Sequence, residues 1–292
     1  MLAIAGIIVV FAMVFGGFAL AGGKFGIILH ALPFEMMIIG GSAAGTFMIS
    51  NGGAVVKGTL GDMKRVFAGA YWKKDDYRDL LSLMFMIIKH LKTKGVLALE
   101  PHVDAPHESS LFAKYPKIQK DHHALDFIAD TLRMMTMSMD DPYQVEDCMQ
   151  RQIKKHHHEM AGRAEAIQRV ADALPALGIV AAVLGVVKTM ASIDQPVEVL
   201  GAMIGGALVG TFLGVFLAYG FCGPIAARMG QTYEDDAQFY AIIRDCLVGY
   251  LQGHSAPVAI ELARGNVPSA LQPSFHEMDE VLASLPSDAL AA

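Results

Sequence analysis

The sequence is poor in charge. Only 18% of its 292 residues are Asp, Glu, Lys or Arg, while 53% are hydrophobic. Average soluble domains carry about a quarter charged residues. The apolar surplus points to membrane spans rather than to an enlarged core. Cysteine is scarce as well: Cys148, Cys222 and Cys246 stand far apart, with no CxxC spacing. An odd, sparse set argues against a disulfide framework and against a zinc site, and nothing in it demands an oxidising compartment. Basic excess is missing too. A formal charge of −6 leaves no electrostatic footprint for nucleic acid. No GxSxG, P-loop or kinase set is present, so an enzymatic reading has no support.

What is there is long and apolar. A transmembrane helix needs about 20 mostly apolar residues. Leu2 to Leu20 and Met36 to Val56 meet this without a charge. Ala173 to Val187 is short, and spans if Lys188 snorkels and the helix runs on past it. Leu200 to Ala227 is the longest uncharged run. Ala19-Leu20-Ala21 mimics a signal-peptidase site, but no basic residue precedes the apolar run as a signal peptide requires. A retained first span is expected.

Eighteen of the twenty-three Lys and Arg residues lie within 52–170. By the positive-inside rule this region, and with it both termini, is expected in the cytoplasm. The expected division is 1–56 (spans one and two), 57–170 (a cytoplasmic domain), 171–227 (spans three and four) and 228–292 (a cytoplasmic tail). The fold class expected is all-α. Leu80, Leu81, Met84, Ile87, Ile88 and Leu91 recur at helical spacing, as do Leu125, Ile128, Leu132 and Met135. Pro101, Pro106, Pro116 and Pro142 divide the region into short helices.

Span four carries Gly206, Gly210, Gly214 and Ala218 at four-residue spacing. Such a small face lets helix backbones approach closely in a membrane, inside one subunit or between subunits. Thr211 sits beside it. Spans three and four hold no Asp or Glu in their interiors, and Glu35 is placed at the start of span two, near the interface. Proton relays in membranes use intramembrane ionisable groups. If the chain conducts protons, the carboxylate is expected from another chain. Pro175 reads as the start of span three. Pro224, flanked by apolar residues, reads as a kink. His122-His123 and His156-His157-His158 invite a metal, but consecutive histidines on a helix point apart and no partners sit at zinc spacing.

Asp172-Ala173-Leu174-Pro175-Ala176-Leu177-Gly178-Ile179-Val180-Ala181-Ala182-Val183 and Gly210-Thr211-Phe212-Leu213-Gly214-Val215-Phe216-Leu217-Ala218-Tyr219-Gly220 resemble the two most characteristic stretches of the MotA family. Val14-Phe15-Gly16-Gly17, Lys57-Gly58-Thr59-Leu60, Phe112-Ala113-Lys114-Tyr115-Pro116 and Pro273-Ser274-Phe275 extend the resemblance, in order, over nearly the whole chain. The resemblance implies an inner-membrane stator subunit of the bacterial flagellar motor, with no cofactor and protons as the coupling ion. It implies five copies around two B-type (MotB-like) subunits, whose transmembrane Asp binds the ion, and torque delivered to the rotor protein FliG. Pro175 and Pro224 match the family's functional prolines, and Thr211 its pore-lining threonine. Ala182 stands where sodium-driven relatives carry threonine. A hydroxyl offers a hard cation an oxygen ligand and a methyl does not, which favours protons. Lys92 falls where relatives have arginine, and Glu100 on a matching glutamate; both are then rotor contacts. The plain reading of Lys89, Lys92 and Lys94 is a solvated face. An energising scaffold of the TolQ/ExbB type is the rival function.

Overall fold

The computed structural model describes residues 2–285. These residues are predominantly helical, and no strand occurs among them. In order the helices are α1 (Leu2–Leu20), α2 (Phe25–Ser50), α3 (Gly53–Asp62), α4 (Arg65–Ala68), α5 (Lys74–Lys94), α6 (Glu100–Asp104), α7 (Ser110–Ala113), α8 (Pro116–Lys120), α9 (His122–Thr136), α10 (Pro142–Met190), α11 (Val197–Leu217), α12 (Gly223–Leu251), α13 (Ala256–Gly265) and α14 (Phe275–Ser284). A π-helical turn, Ala218–Cys222, joins α11 to α12, and a 3₁₀ turn, Val96–Leu99, follows α5. Two compact units result. One comprises 1–69 and 159–232, the other 70–158 and 233–292. Residues 286–292 of the expected tail, and Met1, lie outside the described residues.

In the first unit, α1, α2, α10 and the joined α11–α12 are long and apolar enough to cross a membrane. α1 has the expected bounds. α2 does not: it begins at Phe25, eleven residues before the span read from sequence, and it includes Pro33 and Glu35. Pro175 does not begin a helix either. It lies inside the 49 residues of α10. The onset of hydrophobicity there marks a change of surroundings, while the backbone hydrogen bonding continues from the polar stretch before it. The core of this unit is small, with Ile39, Ala43, Leu174, Ala181, Leu213 and Ala218 buried. Val183, Val187, Leu208, Leu29 and Met13 stay exposed. That pattern suits hydrocarbon, where apolar side chains gain nothing from mutual burial and packing rests on close approach. Polar ties cluster at one end: Arg163 donates to Asp62 at 2.6 Å and Arg169 to the Asn51 side chain at 2.7 Å.

The second unit has a large core. The helical stripe of α5 and that of α9 meet, with Leu80, Leu81, Met84, Ile87, Leu125, Ile128 and Leu132 buried. Charge placement also favours α5: Asp75 and Asp76 in its first turn, Lys92 and Lys94 in its last, each opposing the local end of the helix dipole. Gly95, at φ 81°, ends it. Pro101, Pro116 and Pro142 stand in the first turns of α6, α8 and α10, where a missing N–H costs nothing. Residues after 233 complete this core. Phe239 stacks on Trp72 with centroids 3.7 Å apart, and the Asp236 carboxylate accepts from the amides of Tyr71 and Trp72 at 2.7 and 3.3 Å. The Pro273-Ser274-Phe275 motif is an N-cap: Ser274 accepts from the Glu277 amide at 3.1 Å and Glu277 also pairs with Lys74 at 2.8 Å.

Candidate functional site in the membrane helices

The membrane unit is tightest where α10 crosses α11. A methyl placed on Gly178 would lie 2.8 Å from the Gly210 carbonyl oxygen and 3.0 Å from the Gly214 Cα. One on Gly214 would lie 2.6 Å from the Leu174 carbonyl oxygen and 2.9 Å from the Gly178 Cα. One on Gly185 would lie 2.6 Å from the Ala207 methyl and 2.9 Å from its Cα. Two backbones touch along a seam of glycines, which only residues without Cβ allow. The small face of span four is thus used inside the chain at Gly210 and Gly214. Gly206 stands apart, since its nearest neighbour would be the Ala31 methyl at 3.8 Å.

Ala181 and Ala182 flank the seam, their methyl and amide 3.1 and 3.2 Å from the position a Gly210 methyl would take. Thr211 follows Gly210 in sequence and is half-buried, as are Ala182 and Pro175. The structure therefore brings Ala182 to Gly210, with Pro175 one helical turn from Gly178 along α10 and Thr211 the next residue of α11. Pro224 lies apart and exposed. It is not a helix end, because α11, the π turn and α12 form one continuous 55-residue helix, Val197–Leu251. Proline in a helix deprives the carbonyl four residues back of its donor and crowds it. For Pro224 that carbonyl is Gly220, within the π turn. There Gly223 donates five residues back, to Ala218. The wider turn relieves the crowding that a regular helix would impose, as π-bulges do inside α-helices.

Glu35 corrects the sequence reading. It is the eleventh residue of α2, about 15 Å along the helix from Phe25 at 1.5 Å per residue, and not at its start. Only 7% of it is exposed. Its Oε2 has no hydrogen-bond partner and occupies the space in front of Gly210, 2.6 Å from where a Cβ would stand. The uncharged stretch begins only at Met36, one residue past this acid. The signal that finds it is the single acid between Lys24 and Val56 in an otherwise apolar run that tolerates Pro33.

Lys92 and Glu100 lie in the other unit, at opposite ends of the Gly95 turn, and both are exposed. The Lys92 ammonium donates to the Gly253 carbonyl at 3.1 Å and lies 5.9 Å from the Tyr250 ring. The histidine runs also fall here. His156 stacks on His123 at 3.5 Å, both against Tyr240. Among the described residues no group of three potential metal ligands forms.

Comparison with known proteins adds the family. Residues 4–95 match the family described as motility protein A N-terminal, and residues 119–240 the MotA/TolQ/ExbB proton channel family. Motility protein A of Salmonella typhimurium is 38% identical over 96% of this chain and 94% of its own. The chemotaxis protein LafT of Vibrio parahaemolyticus is 33% identical over 95% and 97%. The fold is that of MotAB structures from C. jejuni (TM-score 0.71, 20% identity, 91% of this chain and 95% of that one) and Bacillus subtilis (0.70, 19%, 95% and 100%). With four membrane-length helices, a glycine seam and relatives matching from end to end, the chain belongs to the motility protein A family of flagellar stator subunits.

Proposed function

We propose that this chain forms a proton channel with a MotB-like partner and converts ion flow into torque on the rotor protein FliG. The observation that carries this reading is the near full-length similarity to motility protein A, which includes residues 70–158 as well as the spans. A TolQ/ExbB-type scaffold would be expected to share chiefly the channel helices. In this reading five copies surround two partner subunits, whose transmembrane Asp binds the proton. The chain sits in the inner membrane with its termini and the 57–170 region in the cytoplasm. Pro175, Pro224, Thr211 and Ala182 serve the ion pathway and its gating. Gly206, Gly210 and Gly214 serve helix packing, and Lys92 and Glu100 the rotor contact. The methyl of Ala182 beside the seam supplies no oxygen to a sodium ion, which supports protons as the coupling ion.

Deleting the gene in its host tests the function. Cells are expected to keep their filaments and stop swimming, and the restored gene is expected to return motility. Swimming by the deletion strain would refute the reading. Complemented cells are expected to swim without added sodium at fixed proton-motive force. A requirement for sodium would refute the coupling ion.

A further inference from the structure

We propose that Glu35 is a proton-binding site within the membrane unit, a carboxyl of the ion pathway supplied by this chain in addition to the partner's Asp. The proposal rests on the channel reading above.

Two observations carry it. The first is the unpartnered, buried Oε2 of Glu35 midway along a membrane-length helix. Ionisable groups in such positions are expensive to keep, and they mark ion pathways and proton relays. The second is the cradle. Gly210 leaves the volume that this oxygen fills, 2.6 Å from its would-be Cβ, with the Ala181 methyl and the Ala182 amide alongside. The carboxyl therefore sits against the same seam as Ala181 and Ala182.

The surroundings select a proton as the occupant. α2 carries one other titratable group, the exposed His30. Facing from α10, no charged residue lies between Asp172 and Lys188, and from α11 none lies between Glu198 and the π turn. The Ala182 amide is inside a continuous helix and is committed to its own carbonyl four residues back. Among the described residues of these helices no counter-charge faces an ionised carboxylate here. A metal cation fares no better, because hard cations gather several oxygens and, among the described residues, Glu35 supplies the one acidic side chain at the seam. A proton needs a single oxygen. Binding neutralises the carboxylate at Oε2; release returns the proton to water or to a neighbouring carrier.

The test uses the complex with its partner in native membranes. The hydrophobic probe dicyclohexylcarbodiimide reacts with protonated carboxyls in apolar surroundings. Peptide mapping is expected to show an adduct on Glu35 that forms more slowly as pH rises and is absent from Glu35→Gln. Proton flux through proteoliposomes is expected to fall about a hundredfold or more in Glu35→Gln, the scale of losing one proton-transfer group. Glu35→Asp, which keeps the acid, is expected to recover part of it. Co-purification of the partner shows that the variants assemble. A membrane complex with no Glu35 adduct overturns the proposal. So does a Glu35→Gln complex that assembles and conducts like wild type. A wild-type complex that conducts no protons would instead overturn the channel reading, and this proposal with it.

Discussion

At the scale of the residue, three glycines of one helix face look alike in sequence and differ in what a methyl would strike. At Gly214 it strikes backbone, the Leu174 carbonyl and the Gly178 Cα, and backbone cannot step aside. Gly214→Ala is expected to force α10 and α11 apart, costing about 1–3 kcal/mol as overpacking does, and to reduce or abolish motility. Gly206→Ala meets only ordinary contact at 3.8 Å and is expected to swim. Gly210→Ala lies between them, because the nearest atom is the end of the Glu35 side chain, which can move. Swimming speed and detergent melting of the three variants check the ranking. Equal effects at all three positions would mean that the face is used elsewhere.

At the scale of the element, the π turn before Pro224 is the feature to test. Alanine at this position restores an N–H that can donate four residues back to Gly220 and removes the ring that forbids a regular turn. Pro224→Ala is expected to convert Ala218–Cys222 towards α-helix, and so to re-aim α12 relative to α11. Assembly with the partner should survive while rotation slows or stops. Co-purification with a tethered-cell assay separates the two. Wild-type rotation would show that the irregularity does no work. The junction of α5 and α6 makes a different prediction. Burial lowers the pKa of His90 and of His102; the charge of Lys94 adds to the effect on His90, against its bond to the Ala98 carbonyl, and the charge of His90 adds to the effect on His102. His102 bonds to the Ser109 hydroxyl at 2.8 Å. Below the ordinary histidine value of about 6.5, the unfolded chain takes up protons that the folded one refuses. The unfolded state then binds more protons, so stability falls as pH drops through that range. Melting midpoints in detergent are expected to fall on acidification from about pH 7.5 to 5.5, and to fall less in His102→Gln. Parallel losses in both proteins would show that these rings do not set the dependence.

At the scale of the whole molecule, the charged surface of the second unit is expected to guide docking to the rotor. Lys92→Glu or Glu100→Lys should impair torque and leave membrane assembly intact, since both side chains lie exposed in the second unit. Complementary surfaces act mainly by steering encounter, over about 8 Å at physiological salt. Higher ionic strength should shrink the defect, and a reversed charge on the rotor protein should recover part of the function. Normal swimming by both variants, alone and combined, would leave Lys92 and Glu100 as merely solvated charges.

The sequence by itself determined that the chain is helical and membrane-embedded, because hydrocarbon imposes about twenty apolar residues per crossing and that requirement is written locally. It also determined the amphipathic stripes of α5 and α9, and it offered the family through ordered motifs. It did not place the start of α2 or reveal that α10 runs through Pro175. Hydropathy reports what surrounds a helix, whereas backbone hydrogen bonds decide where the helix begins and ends. Residues 228–292 read as a cytoplasmic tail, yet Phe239, Ile243 and Ile260 are buried in one core with α5 and α9. A contact across some 160 residues leaves no mark in local periodicity. Which glycine meets which partner was likewise settled only in three dimensions. So was the position of Glu35, whose carboxyl lies at the seam because α2 packs on α11 and Gly210 leaves room there, a coincidence of two helices that neither one's sequence contains.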